Sequence, residues 1–224
     1  MGKIKLLFKG LITNLIFTTI LFVCAGRIDY TQGWIFLSGN VLTTFMNFFT
    51  IRNNSELINE RSNLGEGIKS WDKLILGLSA MFYLMIVVIS GLDSGRFMWT
   101  PDFNWVVSVS GVVIMVIGQI LFLSARSQNA FFSSVVRIQK ERGHTVCDTG
   151  LYSVVRHPGY LGMIISLIGV PLITTSTWSS IPMLIAVILL LIRTSLEDKT
   201  LINELDGYVE YSRKTRYKLI PLVW

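Results

Sequence analysis

Residues 105–125, WVVSVSGVVIMVIGQILFLSA, run for 21 positions without a charged side chain. About 20 mostly apolar residues are what a helix needs to cross the hydrocarbon core of a bilayer. Working outward, residues 6–25, 33–51 and 74–92 are further runs of that kind. Lys9, near the start of the first, is long enough to snorkel to the interface. Two shorter apolar stretches follow, 159–175 and 178–192, joined by a polar turn around Thr177. They read as a tight helical hairpin. The expected fold is therefore all-α, a polytopic transmembrane helix bundle of about six spans with the last two as a hairpin.

The composition agrees with this order. Of the 224 residues, 51% are hydrophobic and 15% charged, where a soluble domain carries about 25% charged. That excludes a disordered chain and argues against an ordinary soluble domain. The two cysteines, Cys24 and Cys147, fall on opposite sides of the predicted bundle and in no metal-like cluster, so neither a disulfide scaffold nor a metal is expected. The positively charged N-terminus followed by an apolar run is read as a span rather than a signal peptide, because the run is long and Cys24-Ala25-Gly26-Arg27 makes a poor cleavage site.

Charge sets the orientation. Eighteen of the 20 Lys and Arg fall before or at the start of the first span, after the second, after the fourth, or in the C-terminal tail; only Arg27 and Arg96 lie on the other side. Under the positive-inside rule both termini are cytoplasmic. The same pattern accounts for the net charge of +6 without a nucleic-acid partner. The expected partner is the bilayer, and the expected location a bacterial inner or plasma membrane.

The outer loops carry few reactive groups, and the polar stretch 53–70 reads as a solvated connector. The last third of the chain is different. Residues 137–160, RIQKERGHTVCDTGLYSVVRHPGY, contain both histidines, His144 and His157. Gly143 and Gly150 mark turns. Pro158 biases His157 towards an extended backbone and suits the first turn of a helix. Arg156 and His157 then sit at a helix N-terminus, which favours a carboxylate or phosphate. The plainer reading makes Arg156 a membrane-flanking anchor and His157 an interfacial residue. Further on, Arg193 and Glu197 are four apart and share a helix face. They form either an exposed ion pair or a grip on a charged ligand. Tyr208 and Tyr211 read as interfacial packing.

At these residues the chain resembles a known family. His144-Thr145-Val146, Gly150-Leu151-Tyr152, Arg156-His157-Pro158-Gly159-Tyr160 and Arg193-x-x-x-Glu197, followed by Leu201, Glu204, Tyr208, Tyr211 and Pro221, are similar in order and spacing to the isoprenylcysteine carboxyl methyltransferase family. The resemblance covers about residues 139–221. It implies S-adenosyl-L-methionine as cofactor, bound at the cytoplasmic face. It further implies methyl transfer to a carboxylate, amine or thiol of a lipophilic or small-molecule acceptor. His144, Thr145, Val146, Tyr152, His157, Pro158, Gly159, Tyr160 and Glu197 would line the cofactor. Gln139 is the position for a cofactor-touching glutamine, with Arg137 competing. Arg193, Glu197 and Arg156 are the catalytic candidates, Arg193 facing the acceptor. Residues 1–125 would hold spans one to four, and residues 126–224 the cofactor-binding and catalytic part. One departure is the acidic cluster, here Glu197-Asp198-Lys199, which leaves Glu197 the only Glu in place. The rival readings are a membrane sterol- or steroid-type reductase using NADPH and a non-catalytic membrane protein. Gly159 and Met163 depart from the reductase motif. The absence of charge well inside spans two to six argues against an ion path.

Overall fold

A computed structural model describes residues 2–52, 67–101 and 104–224. Most of the connector at 53–70, and Asp102 of the outer loops, lie outside the described residues. The described chain is helical and contains no strand. The helices are α1 (Gly2–Ala25), α2 (Thr31–Ile51), α3 (Ser70–Ser90), α4 (Trp105–Gln128), α5 (Pro158–Ile173), α6 (Ser180–Glu204) and α7 (Tyr208–Lys214). A π-helical turn, Gly91–Phe97, extends α3, and two 3₁₀ turns, Lys140–Arg142 and Gly150–Ser153, lie between α4 and α5.

Among the described residues four helices are long and apolar enough to cross a membrane: α1, α3 with its π-helical extension, α4 and α6. Helix α2 has 21 residues, and α5 has 16. Large apolar side chains point outward, as lipid contact requires and water would penalise. On α1, Ile4, Phe8, Leu15 and Val23 are 59–67% exposed.

The final two helices differ from the short hairpin expected of them. Helix α6 is 25 residues long and continues well past Ile192, carrying Arg193, Glu197 and Asp198. Its most extensive neighbour is α3, whereas α5 packs chiefly on α4. Glycine explains the second pairing. A Cβ at Gly118 would press on the backbone N of Ser166 and lie 2.6 Å from the carbonyl of Gly162, while one at Gly111 would lie 2.5 Å from the backbone N of Ile173. The two helices thus touch backbone to backbone, the close approach small residues permit in membrane bundles.

Side-chain contacts define the two ends of the bundle. At one end Tyr30, Ser90, Ser94 and Thr174 form a buried hydrogen-bond network. Beside it the buried Asp93 accepts from Thr100 and Ser176. Every member is satisfied, so this end is a structural clasp. At the other end lie the start of α3, the ends of α2, α4 and α6, and the basic connections. Asn47 accepts from Arg126 there, and Lys69 pairs with Glu204.

Candidate active site

The connection from α4 to α5 is built from local side-chain turns. Asn129 Oδ1 accepts from the Phe131 N–H, and Ser133 Oγ from the Val135 N–H, the usual way short polar side chains organise a turn. Gly150 has φ +58°, and a Cβ there would collide with the Gln128 amide, which caps the next turn by accepting from the Leu151 N–H. A non-glycine residue would lose both the conformation and the cap.

This connection, the ends of α3 to α6 and the α7 segment enclose a cavity of about 330 Å³. Leu76, Phe122 and Met163 line it from the bundle side, with Phe132 of the connection edge-on to Phe122. Met163 is five residues into α5, about 7 Å along the axis at 1.5 Å per residue. His144, Thr145, Val146, Tyr152, Tyr208 and Tyr211 line it from the connection and α7. Of the predicted site residues, His144, Thr145, Val146, Tyr152, Arg156, His157, Gly159, Tyr160, Arg193 and Glu197 line this one cavity; Gln139 and Pro158 do not.

Gln139 is fully buried behind the wall. Its amide donates to the Phe131 carbonyl (2.7 Å) and accepts from Arg142, and its backbone N–H donates to Nδ1 of His144 (3.3 Å). It holds Phe131 and His144 in place, while Arg137, its competitor, lines the cavity. Pro158 is the first residue of α5, as its fixed φ favours. The His144 ring stacks on Phe131 with centroids 4.5 Å apart. Burial, with Arg137 and Arg142 nearby, lowers its pKa to about 4, so the ring is neutral at pH 7. Since Nδ1 accepts from Gln139, the proton sits on Nε2.

Arg156 lines the cavity but spends its guanidinium on protein groups. Nε and Nη2 hold the two oxygens of Asp198 (2.8 and 2.9 Å), and Nη1 donates to the carbonyls of Thr215 and Arg216. The backbone N–H groups of Arg156 and His157 donate to the Tyr217 and Lys218 carbonyls. Two of the amides near this helix start are therefore taken by the tail, and those of Tyr160 and Leu161 turn back to the His157 carbonyl. Asp198 also meets His157 Nε2 (3.1 Å) and accepts from the Tyr208 hydroxyl (3.0 Å). It is the hub that the sequence showed only as a departure from an acidic cluster.

Arg193 and Glu197 do not pair with each other. Arg193 grips Asp72 with Nε (2.7 Å) and Nη2 (3.2 Å), and Nη2 also donates to the Ser134 carbonyl (2.9 Å). Among the described residues Nη1 donates no hydrogen bond. Glu197 accepts a short hydrogen bond from Tyr160 (2.5 Å) and forms no ion pair among the described residues. Tyr208 and Tyr211 are buried; Tyr211 donates to the Tyr152 carbonyl (2.6 Å). Both fasten α7 to the site rather than resting at an interface.

Residues 111–203 match the family described as isoprenylcysteine carboxyl methyltransferase. This segment is similar to that family over 93 of the 224 residues. A 78-residue stretch is 32% identical to a probable protein-S-isoprenylcysteine O-methyltransferase of Oryza sativa subsp. indica, covering 34% of this chain and 41% of that protein. A 143-residue stretch is 25% identical to protein-S-isoprenylcysteine O-methyltransferase B of Arabidopsis thaliana, covering 61% and 73%. A 115-residue stretch is 29% identical to protein-S-isoprenylcysteine O-methyltransferase of Saccharomyces cerevisiae, covering 48% and 46%. The chain thus spans less than half the length of the rice relative it matches. Most of the cavity wall falls inside the family segment. Leu76, Leu205, Tyr208 and Tyr211 of the wall lie outside it, as does Asp72 behind Arg193.

Proposed function

We propose that this chain is an integral membrane methyltransferase that uses S-adenosyl-L-methionine and methylates the carboxylate of a lipophilic acceptor. The observation that carries the reading is the separation of Glu197 from Arg193: opposite charges one helical turn apart line one cavity without neutralising each other. A carboxylate without an ion pair among the described residues suits a cationic cofactor, and a guanidinium whose Nη1 donates to none of them suits an anionic acceptor. The names of the plant and yeast relatives describe O-methylation at an isoprenylcysteine, which agrees with an oxygen acceptor on a lipid-modified group.

The residues fit the cofactor. When bound, S-adenosylmethionine supplies a methyl group on a sulfonium whose positive charge is discharged on transfer. Glu197, oriented by Tyr160, faces the cationic part. His144 offers a neutral Nε2–H, and Thr145, Val146, Tyr152, His157 and Gly159 complete the wall. Gln139 and Pro158 support that wall from behind, and Arg156, part of the lining, braces it through Asp198. Arg193 orients an acceptor carboxylate, which needs no base. Leu76, Phe122, Phe132 and Met163 give its apolar part a water-poor seat, so that positioning and exclusion of water do most of the work. Residues 1–125 act as the membrane scaffold and 126–224 as the catalytic part, and the Lys/Arg split supports a cytoplasmic site.

The test is calorimetric titration of the purified protein with S-adenosylhomocysteine and, separately, NADPH. Transfer of labelled methyl to N-acetyl-S-farnesylcysteine, its methyl ester, a phospholipid and a small thiol follows. Binding of S-adenosylhomocysteine alone, with label entering only the free carboxylate, supports the reading. NADPH binding, or label entering only an amine or thiol, overturns it.

A further inference from the structure

Arg193 has an obvious partner on its own helix. Glu197 is one turn further along the same face, the spacing at which Arg and Glu normally meet. The two stay apart because Asp72, in the first turn of α3, reaches Arg193 first. Asp72 is fully buried. One of its oxygens accepts from Nε of Arg193, and the other from Nη2 and from the Val136 N–H (2.8 Å). The Lys69 N–H donates to the Val136 carbonyl (3.2 Å), so the cavity wall at Val136 is pinned to the same helix start. Asp72 lies outside the segment that matches the family, on a helix of the membrane scaffold.

We propose that Asp72 is a positioning residue that sorts the charges of the cavity. By holding Arg193 through two prongs it prevents Arg193 from collapsing onto Glu197. Glu197 is thereby kept available to a cation, and the Nη1 edge of Arg193 to an anion. A buried guanidinium deprived of its carboxylate takes the nearest other one, and here that is Glu197. The inference rests on the functional reading above, because it assigns Glu197 to the cationic cofactor.

The test is binding of sinefungin, a non-reactive analogue with an amine in place of the sulfonium, measured by calorimetry on the full chain in detergent. Asp72→Asn should weaken sinefungin at least tenfold, because Arg193 then neutralises Glu197. Asp72→Asn combined with Arg193→Gln should restore affinity to within threefold of the parent, because nothing remains to occupy Glu197. A merely structural Asp72 predicts the opposite order, with the double variant no better than the single. Should Asp72→Asn fail to fold, Asp72→Ala, which likewise releases the guanidinium, should show the same loss and the same rescue by Arg193→Gln. Equal affinity in parent and single variant, or no rescue, overturns the inference and leaves the functional reading standing. A parent that does not bind sinefungin overturns the functional reading, and the inference falls with it.

Discussion

Arg156 and Asp198 are joined by two parallel hydrogen bonds of 2.8 and 2.9 Å, both side chains being buried. The pair ties the connection before α5 to the end of α6, and Arg156 carries on to the tail carbonyls of Thr215 and Arg216. Removing one partner of a buried pair leaves an uncompensated charge and costs about 3–5 kcal/mol. Asp198→Ala should therefore lower the melting temperature in detergent sharply. Arg156→Lys should rescue poorly, since one ammonium cannot serve a carboxylate and two carbonyls in this geometry. A melting curve for Arg156→Lys superimposable on the parent would rule this out.

Glu197→Gln keeps the shape of the side chain and removes its charge. Loss of a charged partner typically costs about 1.5–3 kcal/mol, roughly one to two decades in affinity. Binding of S-adenosylmethionine should fall by that amount. Arg193→Gln in the same assay should leave cofactor affinity near that of the parent while methyl transfer falls. Calorimetry with each variant measures the first effect, and initial rates the second. If Glu197→Gln binds as tightly as the parent, the anionic subsite has been misassigned.

His144 gives the site a pH dependence whose sign follows from its environment. Burial, Arg137 and Arg142 hold its pKa at about 4 in the folded protein, against about 6.5 in an unfolded chain. The unfolded state therefore takes up a proton first as pH falls. Stability contributed by neutral His144 is complete above about pH 6.5 and is lost progressively towards pH 4. Melting temperatures between about pH 7.5 and 4.5 should fall more steeply for the parent than for His144→Gln. Parallel slopes would show that His144 is not the group responsible.

The glycines of the α4–α5 contact should be intolerant in a way other glycines are not. Gly118→Ala places a methyl against the Ser166 backbone and should destabilise by about 1–3 kcal/mol, the usual range for overpacking. A Cβ on Gly77 of α3 would point into open space, with no described atom within 4 Å. Gly77→Ala should therefore be neutral or gain up to about 1 kcal/mol from helix propensity. Thermal unfolding of the two variants side by side tests the contrast.

Much of this was legible in the sequence because it is periodic or local. The uncharged runs announced the helices, Pro158 the start of α5, and Gly143 and Gly150 the turns, both of which have positive φ. The segment carrying His144, Arg156, His157, Arg193 and Glu197 stood out by its ordered spacing. What stayed hidden depends on distant parts of the chain meeting. Asp72 looks like a membrane-flanking residue beside Lys73, and nothing local says that its partner is 121 positions away. Asp198 looks like a lost glutamate until Arg156, His157 and Tyr208 converge on it. Tyr208 and Tyr211 have the amphipathic look of interface residues, and only tertiary packing turns them inward. The end of α6 is hidden for the opposite reason. Hydropathy falls at Arg193, but the helical hydrogen bonding continues to Glu204.

The glycine contact between α4 and α5 has a mechanical meaning for the cavity. Phe122 and Arg126 near the end of α4, and Gly159, Tyr160 and Met163 at the start of α5, belong to two helices locked backbone to backbone. Opening the site by parting these helices would empty a contact that no side-chain rotation can refill. The loop from Asn129 to Thr149 is tied in from the other side, by the Asp72 carboxylate and the Lys69 backbone at Val136 and by Arg193 at the Ser134 carbonyl. The helix pair therefore acts as a rigid jaw against which the other wall of the cavity is set.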